Sequence, residues 1–309
     1  MYDKNGGGIM YKACEYRNTD EDFSEVKDFL IALETLENHD NNWDASRFDW
    51  WRYSYHYDKD QTFFSKNVQY WRDSDDKVVG LAISEYGRND IFIVVHPQHK
   101  TLYDEIIDWC LNEFSKGKEE IYTTIFLIDS YKIQKLNESG FVKGRHDNNV
   151  RTYDLTNYEC SYNLPDGYKL LSFSECMNFE SKQALICDAF EKKEHSIERI
   201  KSLMSSENYI SNLDLVVVKD GVCVGYCTGW IEEHDAKKGY IEPMGTHSKH
   251  RKLGIGASLA KEAFKRLRDL GVEKATIASN AEPDISNYLY DSLKPISKKS
   301  GYDFTYKLK

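Results

Sequence analysis

The spacing of apolar residues changes repeatedly along this chain, and each change marks an element. In the last third, Tyr240-Ile241-Glu242-Pro243-Met244-Gly245-Thr246 is short, mostly apolar and bounded by polar residues, as a strand requires. Leu259, Ala260, Ala263, Phe264, Leu267 and Leu270 then recur at three- and four-residue steps, the spacing of an amphipathic helix. Upstream lie a strand at 168–172, helices over 174–192 and 197–204, and a hairpin of 213–219 and 222–230 about Asp220-Gly221. Downstream come a strand at 274–279, a helix at 285–293 and an alternating strand at 303–309.

The first half repeats this order. The pattern predicts a strand at 10–17, a helix over 20–36, a hairpin of 68–72 and 78–86, and a strand ending in Val95-His96-Pro97. A helix over 102–114, a strand at 121–128, a short helix at 131–136 and Ser139-Gly140-Phe141 follow. Between 43 and 64 stand Trp43, Phe48, Trp50, Trp51, Tyr53, Tyr55 and Tyr57, read here as packing residues rather than a ligand wall. Polar residues 156–166 and the turn Pro165-Asp166-Gly167 divide the halves. Two domains, 1–157 and 158–309, are expected, related in element order rather than residue identity.

The chemistry concentrates where the strand at 240–246 hands over to the helix. Arg251-Lys252-Leu253-Gly254-Ile255-Gly256 is a basic, glycine-bearing loop opening that helix. First-turn amides have no intrahelical partner and lie at the positive end of the dipole, so they suit an anion such as a phosphate. A nucleotide P-loop needs Lys-Ser or Lys-Thr after its second glycine, which is missing here. A dinucleotide fingerprint needs a small residue at 259, where Leu stands.

Arg251-x-x-Gly254-x-Gly256 resembles the pyrophosphate loop of the GNAT N-acetyltransferases, which bind acetyl-CoA. Glu242-Pro243-Met244-Gly245-Thr246-His247 is similar to a run found in tandem bacterial members, and Tyr290 in Leu289-Tyr290 matches the family's general acid. The resemblance implies an α/β (α+β) fold of two tandem GNAT-like domains, each a mixed, mostly antiparallel sheet flanked by helices. It implies that Met244, Gly245 and Thr246 pair with the pantetheine arm. Arg251, Lys252, Leu253, Gly254, Ile255, Gly256 and Ala257 would then hold the pyrophosphate, with Asn280 touching pantetheine or substrate. Glu242 would deprotonate a primary amine, with His247 a loop residue. Two departures stand out. Lys294-Pro295 occupies the place of the family's Gly-Phe, with Ser300-Gly301-Tyr302 a candidate substitute. The first half also has no glycine between Gln98 and Glu105 and carries Leu136 where the acid tyrosine would stand, so it is expected to be degenerate, without the cradle.

Charge and composition narrow the classes that remain. A net charge of −10 disfavours nucleic acid as the main partner, and the longest apolar runs are too short to cross a bilayer. No signal-peptide pattern opens the chain, and Gly6-Gly7-Gly8 reads as a flexible leader. Seven scattered cysteines without a Cys-x-x-Cys pair predict buried free thiols in a reducing cytoplasm, and no metal site. The expected activity is acetyl transfer from acetyl-CoA to a small amine, by a cytoplasmic monomer or homodimer. A non-catalytic CoA-sensing module and a protein N-acetyltransferase stay open as alternatives.

Overall fold

Asp220 and Gly221 both adopt positive φ (49° and 80°), the mirror-image turn that lets two right-twisted strands pair tightly. The hairpin predicted about them is therefore present in the structure, a computed structural model describing residues 10–36, 43–56, 58–282 and 284–308. The Gly6–Gly8 run, Tyr57 and the last residue of the predicted C-terminal strand lie outside the described residues.

In chain order the elements are β1 (Lys12–Glu15), α1 (Asp20–Glu34), α2 (Ala45–Trp50), α3 (Gln61–Asn67), β2 (Val68–Arg72), β3 (Val78–Ile83), β4 (Phe92–Val95), α4 (Leu102–Trp109), β5 (Glu120–Phe126), α5 (Ser130–Glu138) and β6 (Val142–Asp154). Then follow β7 (Tyr168–Ser172), α6 (Phe173–Cys176), α7 (Phe179–Ala189), α8 (Ile197–Met204), β8 (Asp214–Lys219), β9 (Val222–Ile231), β10 (Lys238–Thr246), α9 (Ile255–Asp269), β11 (Lys274–Asn280), α10 (Asp284–Ser292) and β12 (Ser297–Lys307).

The chain divides into two compact units, but not at the expected 157/158 boundary. One unit comprises residues 1–147 and 300–309, the other residues 148–299. The expected split assigns β6 to the first half and β12 to the second. In the structure β12 pairs antiparallel with β5, and the second part of β6 pairs antiparallel with β11, from Asp154 opposite Lys274 to Asn148 opposite Asn280. A period of two announces a strand but says nothing about its partner.

In the first unit β1–β4 form an antiparallel sheet in sequential order. The aromatic-rich stretch packs inside it: Trp43, Phe48 and Trp51 are fully buried with Phe64 against Leu30 and Leu33 of α1. In the second unit β7, β8, β9 and β10 pair antiparallel in order, and β10 meets β11 in parallel. Alternation along β9 sends Cys227 to the core under α9 and Tyr226 to the core under α7. The single helix expected over 174–192 is broken instead. Ser172 and Glu175 form a capping box, Met177 turns left-handed, and Asn178 caps a new helix. All seven cysteines are free thiols, of which Cys110, Cys223 and Cys227 are buried and the others half-buried.

Candidate functional site

The second unit opens where β10 and β11 part. Their parallel pairing runs only from Lys238–Lys274 to Tyr240–Thr276, although β10 continues to Thr246 and β11 to Asn280. On its other side β10 stays paired with β9, through an irregularity between Ile241 and Met244. Such a bulge adds twist and turns β10 away from its parallel neighbour. His247 N–H bonds the Val224 carbonyl on β9, so by alternation Thr246 and Met244 point their backbone groups toward the gap. A gap at the carboxyl ends of two parallel strands is where ligands enter open α/β sheets. Glu242 sits at the bulge with its side chain exposed, and Trp230 Nε1 donates to its carbonyl at 2.6 Å.

The loop after β10 leads into α9 as the sequence predicts. Gly254 is left-handed (φ 78°) and no side chain caps the helix, so the amides of Ile255, Gly256 and Ala257 stay available. A Cβ on Gly256 would lie 3.0 Å from Leu289 Cδ2 and 3.7 Å from Thr246 Oγ1, so this space closes if any side chain is added. Lys252 and Leu253 are exposed, whereas Ile255 is buried under β9. Arg251 does more than add charge: its guanidinium donates to the Thr246 carbonyl at 3.3 Å and the Ala189 carbonyl at 3.2 Å, stapling the loop to the ends of β10 and α7. His247 Nδ1 lies 3.4 Å from Asp188, which also accepts from the amide and hydroxyl of Ser248. Those bonds, the Ser248 amide foremost, hold the Asp188 carboxyl below its usual range. His247 is thus engaged in shaping the loop.

Tyr290 stands on α10 with its ring in the core of the unit, 7% exposed. Burial, and then the negative charge of Glu242, raise its phenol well above the ordinary value, while Arg151 opposes them. Arg151 is a residue that sequence reasoning missed. It sits on β6, fully buried, and donates to Asp291 Oδ1 (2.5 Å), Ser279 Oγ (2.9 Å) and Asn287 Oδ1 (2.8 Å). Asn287 in turn donates to the carbonyls of Asn280 and Ala281, so Asn280 is held through its backbone while its side chain is exposed. Tyr153 Oη donates to the Tyr290 carbonyl at 2.8 Å. No periodicity marks Arg151 or Tyr153 as members of this site, because only the pairing of β6 with β11 brings them there. The doubtful end of α10 is also explained. Lys294 itself takes the left-handed position (φ 59°) a glycine would fill, and Gly301 lies within β12.

The first unit has the same frame with different groups at the equivalent positions. His96 N–H bonds the Val79 carbonyl as His247 bonds Val224, and a Cβ on Gly80 would meet Leu102 as one on Gly225 would meet Ile255. Between the short 3-10 turn and the helix stand two residues, Lys100 and Thr101, where the second unit has four, Arg251 to Gly254. Tyr103 occupies the helical position of Gly256, buried, its hydroxyl on Asp129 at 3.3 Å. Ile93, three residues before His96 as Met244 precedes His247, has its carbonyl taken by buried Lys132 Nζ at 2.6 Å.

Comparison with known proteins agrees with this geometry. Residues 180–290 match the acetyltransferase (GNAT) family model. No curated protein sequence is significantly similar. Among solved structures, a GCN5-related N-acetyltransferase from Sphaerobacter thermophilus superposes with a TM-score of 0.67 at 17% identity, covering 96% of this chain and 95% of that one. A tandem GNAT protein from the clavulanic acid biosynthesis pathway gives 0.65 at 13% identity, covering 97% and 98%. A GNAT-family acetyltransferase from Colwellia psychrerythraea gives 0.63 at 9%, covering 97% and 100%. Residues 180–290 therefore match the GNAT acetyltransferase family, and the fold of solved tandem GNAT proteins spans nearly the whole chain.

Proposed function

We propose that this GNAT domain transfers an acetyl group from acetyl-CoA to the primary amine of a small molecule, with Tyr290 as general acid and Glu242 as general base. The carrying observation is the parting of β10 from β11 beside the uncapped start of α9, with the Tyr290 ring buried against it. The cradle suits the carrier: a Cβ at Gly256 would fill it, and the donors left free are backbone amides at a helix N-terminus. Arg251 to Ala257 would hold the pyrophosphate, and the edge groups of Met244 and Thr246, flanking Gly245, would align the pantetheine arm. Asn280, at the end of β11, would border it. Bound acetyl-CoA supplies the activated thioester.

The chain's own residues then carry the proton traffic. Glu242, exposed at the bulge and fixed through its carbonyl by Trp230, takes the surplus proton of the amine, directly or through a water. Tyr290 Oη gives its proton to the departing sulfur. A phenol held above its ordinary value stays protonated at neutral pH, as an acid must. A thiol-release assay over a panel of amines tests the reading. Turnover that falls in Glu242→Gln and Tyr290→Phe supports it; acetyl-CoA binding without turnover on any amine would favour the CoA-sensing module. Turnover on peptides alone would favour protein acetylation.

The first unit is read as the degenerate copy. Tyr103, Lys132 and the two-residue loop leave no cradle, so one acetyl-CoA per chain is expected.

A further inference from the structure

The polar groups buried beneath α10 converge on the turn that carries Tyr290. Arg151 grips Asp291, the residue after Tyr290, and Asn287, one turn before it, while Tyr153 holds the Tyr290 carbonyl itself. Ser279 Oγ and Asn149 Nδ2 add bonds to the same Asn287 oxygen, at 3.0 Å and 3.2 Å. A guanidinium wholly removed from water persists only where fixed acceptors replace the water, and here three do. The charges are unequally shielded. The Asp291 side chain is 46% exposed, whereas that of Arg151 is fully enclosed, with its guanidinium carbon 5.9 Å from the centre of the Tyr290 ring. Water weakens the field of the anion more than that of the cation.

We propose that Arg151 is a positioning residue for Tyr290: it fixes the helical turn that aims the phenol and keeps a positive charge under the ring where the phenolate forms. The inference rests on the general-acid reading of Tyr290. When Tyr290 Oη gives its proton to the departing sulfur, the new charge on oxygen faces a cation already in place, at no cost in reorganisation. Glu242 holds the proton taken from the amine, and exchange through solvent returns it to Tyr290, so protons balance over a cycle. A strut with no electrostatic part would also hold α10, and the experiment must separate the two.

The test is a double-mutant cycle: Arg151→Lys and Asp291→Asn, each alone and combined with Tyr290→Phe, with kcat, KM for both substrates and calorimetric acetyl-CoA affinity. Arg151→Lys is expected to lower kcat on the order of tenfold, and Asp291→Asn by less, with acetyl-CoA affinity at the wild-type value. In the Tyr290→Phe background neither should lower kcat further. In 13Cζ-tyrosine NMR of the protein alone, both should move the resonance that Tyr290→Phe deletes. If Arg151→Lys does not fold, Asp291→Asn carries the cycle. An unchanged kcat, an equal loss in the Tyr290→Phe background, an unmoved resonance, or affinity falling as far as kcat would each overturn the inference. If Tyr290→Phe alone leaves turnover unchanged, the general-acid reading has failed and this inference falls with it. If Tyr290→Phe lowers turnover while the Arg151 and Asp291 variants match wild type, only the inference fails.

Discussion

Lys132 donates to the carbonyl of Ile93 at 2.6 Å, on the edge of β4 that faces away from β3. Met244 is the equivalent residue of the second unit, and its backbone faces the opening instead. The equivalent carbonyl is thus taken by a buried lysine in one copy, whereas in the other it borders the proposed pantetheine path. A calorimetric titration with acetyl-CoA is therefore expected to give one site per chain. Two sites would show that Lys132 and Tyr103 yield to the ligand.

Gly256→Val tests the cradle. Its Cβ would start 3.0 Å from Leu289 Cδ2, and the branches would project over the first-turn amides. Acetyl-CoA binding should be lost altogether, on the proposal that the first unit offers no second cradle. Affinity equal to wild type would refute the loop assignment.

Tyr290→Phe removes one oxygen from a ring already packed in the core. Turnover should fall roughly 10²- to 10⁴-fold, the usual worth of a general acid, while acetyl-CoA affinity stays within about twofold. Stopped-flow thiol release and calorimetry on the same preparation decide it. A kcat within threefold of wild type would remove the assignment.

Lys132 makes stability depend on alkaline pH. Burial lowers its amine from 10.5 to about 8, partly countered by Asp129. Unfolded chains hold this proton up to about 10.4, folded ones only to about 8, so between those values the unfolded state binds more protons. Stability contributed by this group therefore rises with pH across that window, by about 3 kcal/mol in all, and is flat below it. In urea melts from pH 7 to 10.5, the stability of wild type relative to Lys132→Met should shift in favour of wild type above about 8 and stay constant below it. Parallel curves throughout would mean that the amine titrates normally.

Asp214 is buried and takes Lys182 at 2.6 and 2.7 Å, with Tyr209 Oη at 2.8 Å. Lys182→Met would leave that carboxylate without its cation. The loss should be about 3–5 kcal/mol by chemical denaturation, against about 1 kcal/mol for an exposed pair such as Lys265 and Asp269. A Lys182→Met loss as small as the exposed pair's would show that water reaches Asp214.

The period changes along the chain sufficed to locate most elements, because buried faces impose spacing that a linear reading can see. The loop of Gly254 and Gly256 at the start of α9, and the helix carrying Tyr290, were locatable for a related reason: each lies in a contiguous motif whose geometry is local. Arg151 and Tyr153 were not, since they reach the site through the pairing of β6 with β11, and strand partnership leaves no local trace. Lys132 was hidden likewise. In sequence it is one more helical lysine, and only the fold places its amine against Ile93.

The traded terminal strands bear on how such a chain could be shortened. A break at the polar linker after residue 157 would leave the front piece without β12 and the back piece without β6, each stripped of a strand its own unit uses. The rear fragment would also lack Arg151 and Tyr153, which hold the helical turn carrying Tyr290. Deleting the first repeat at that break would thus take from the second unit residues that it packs around.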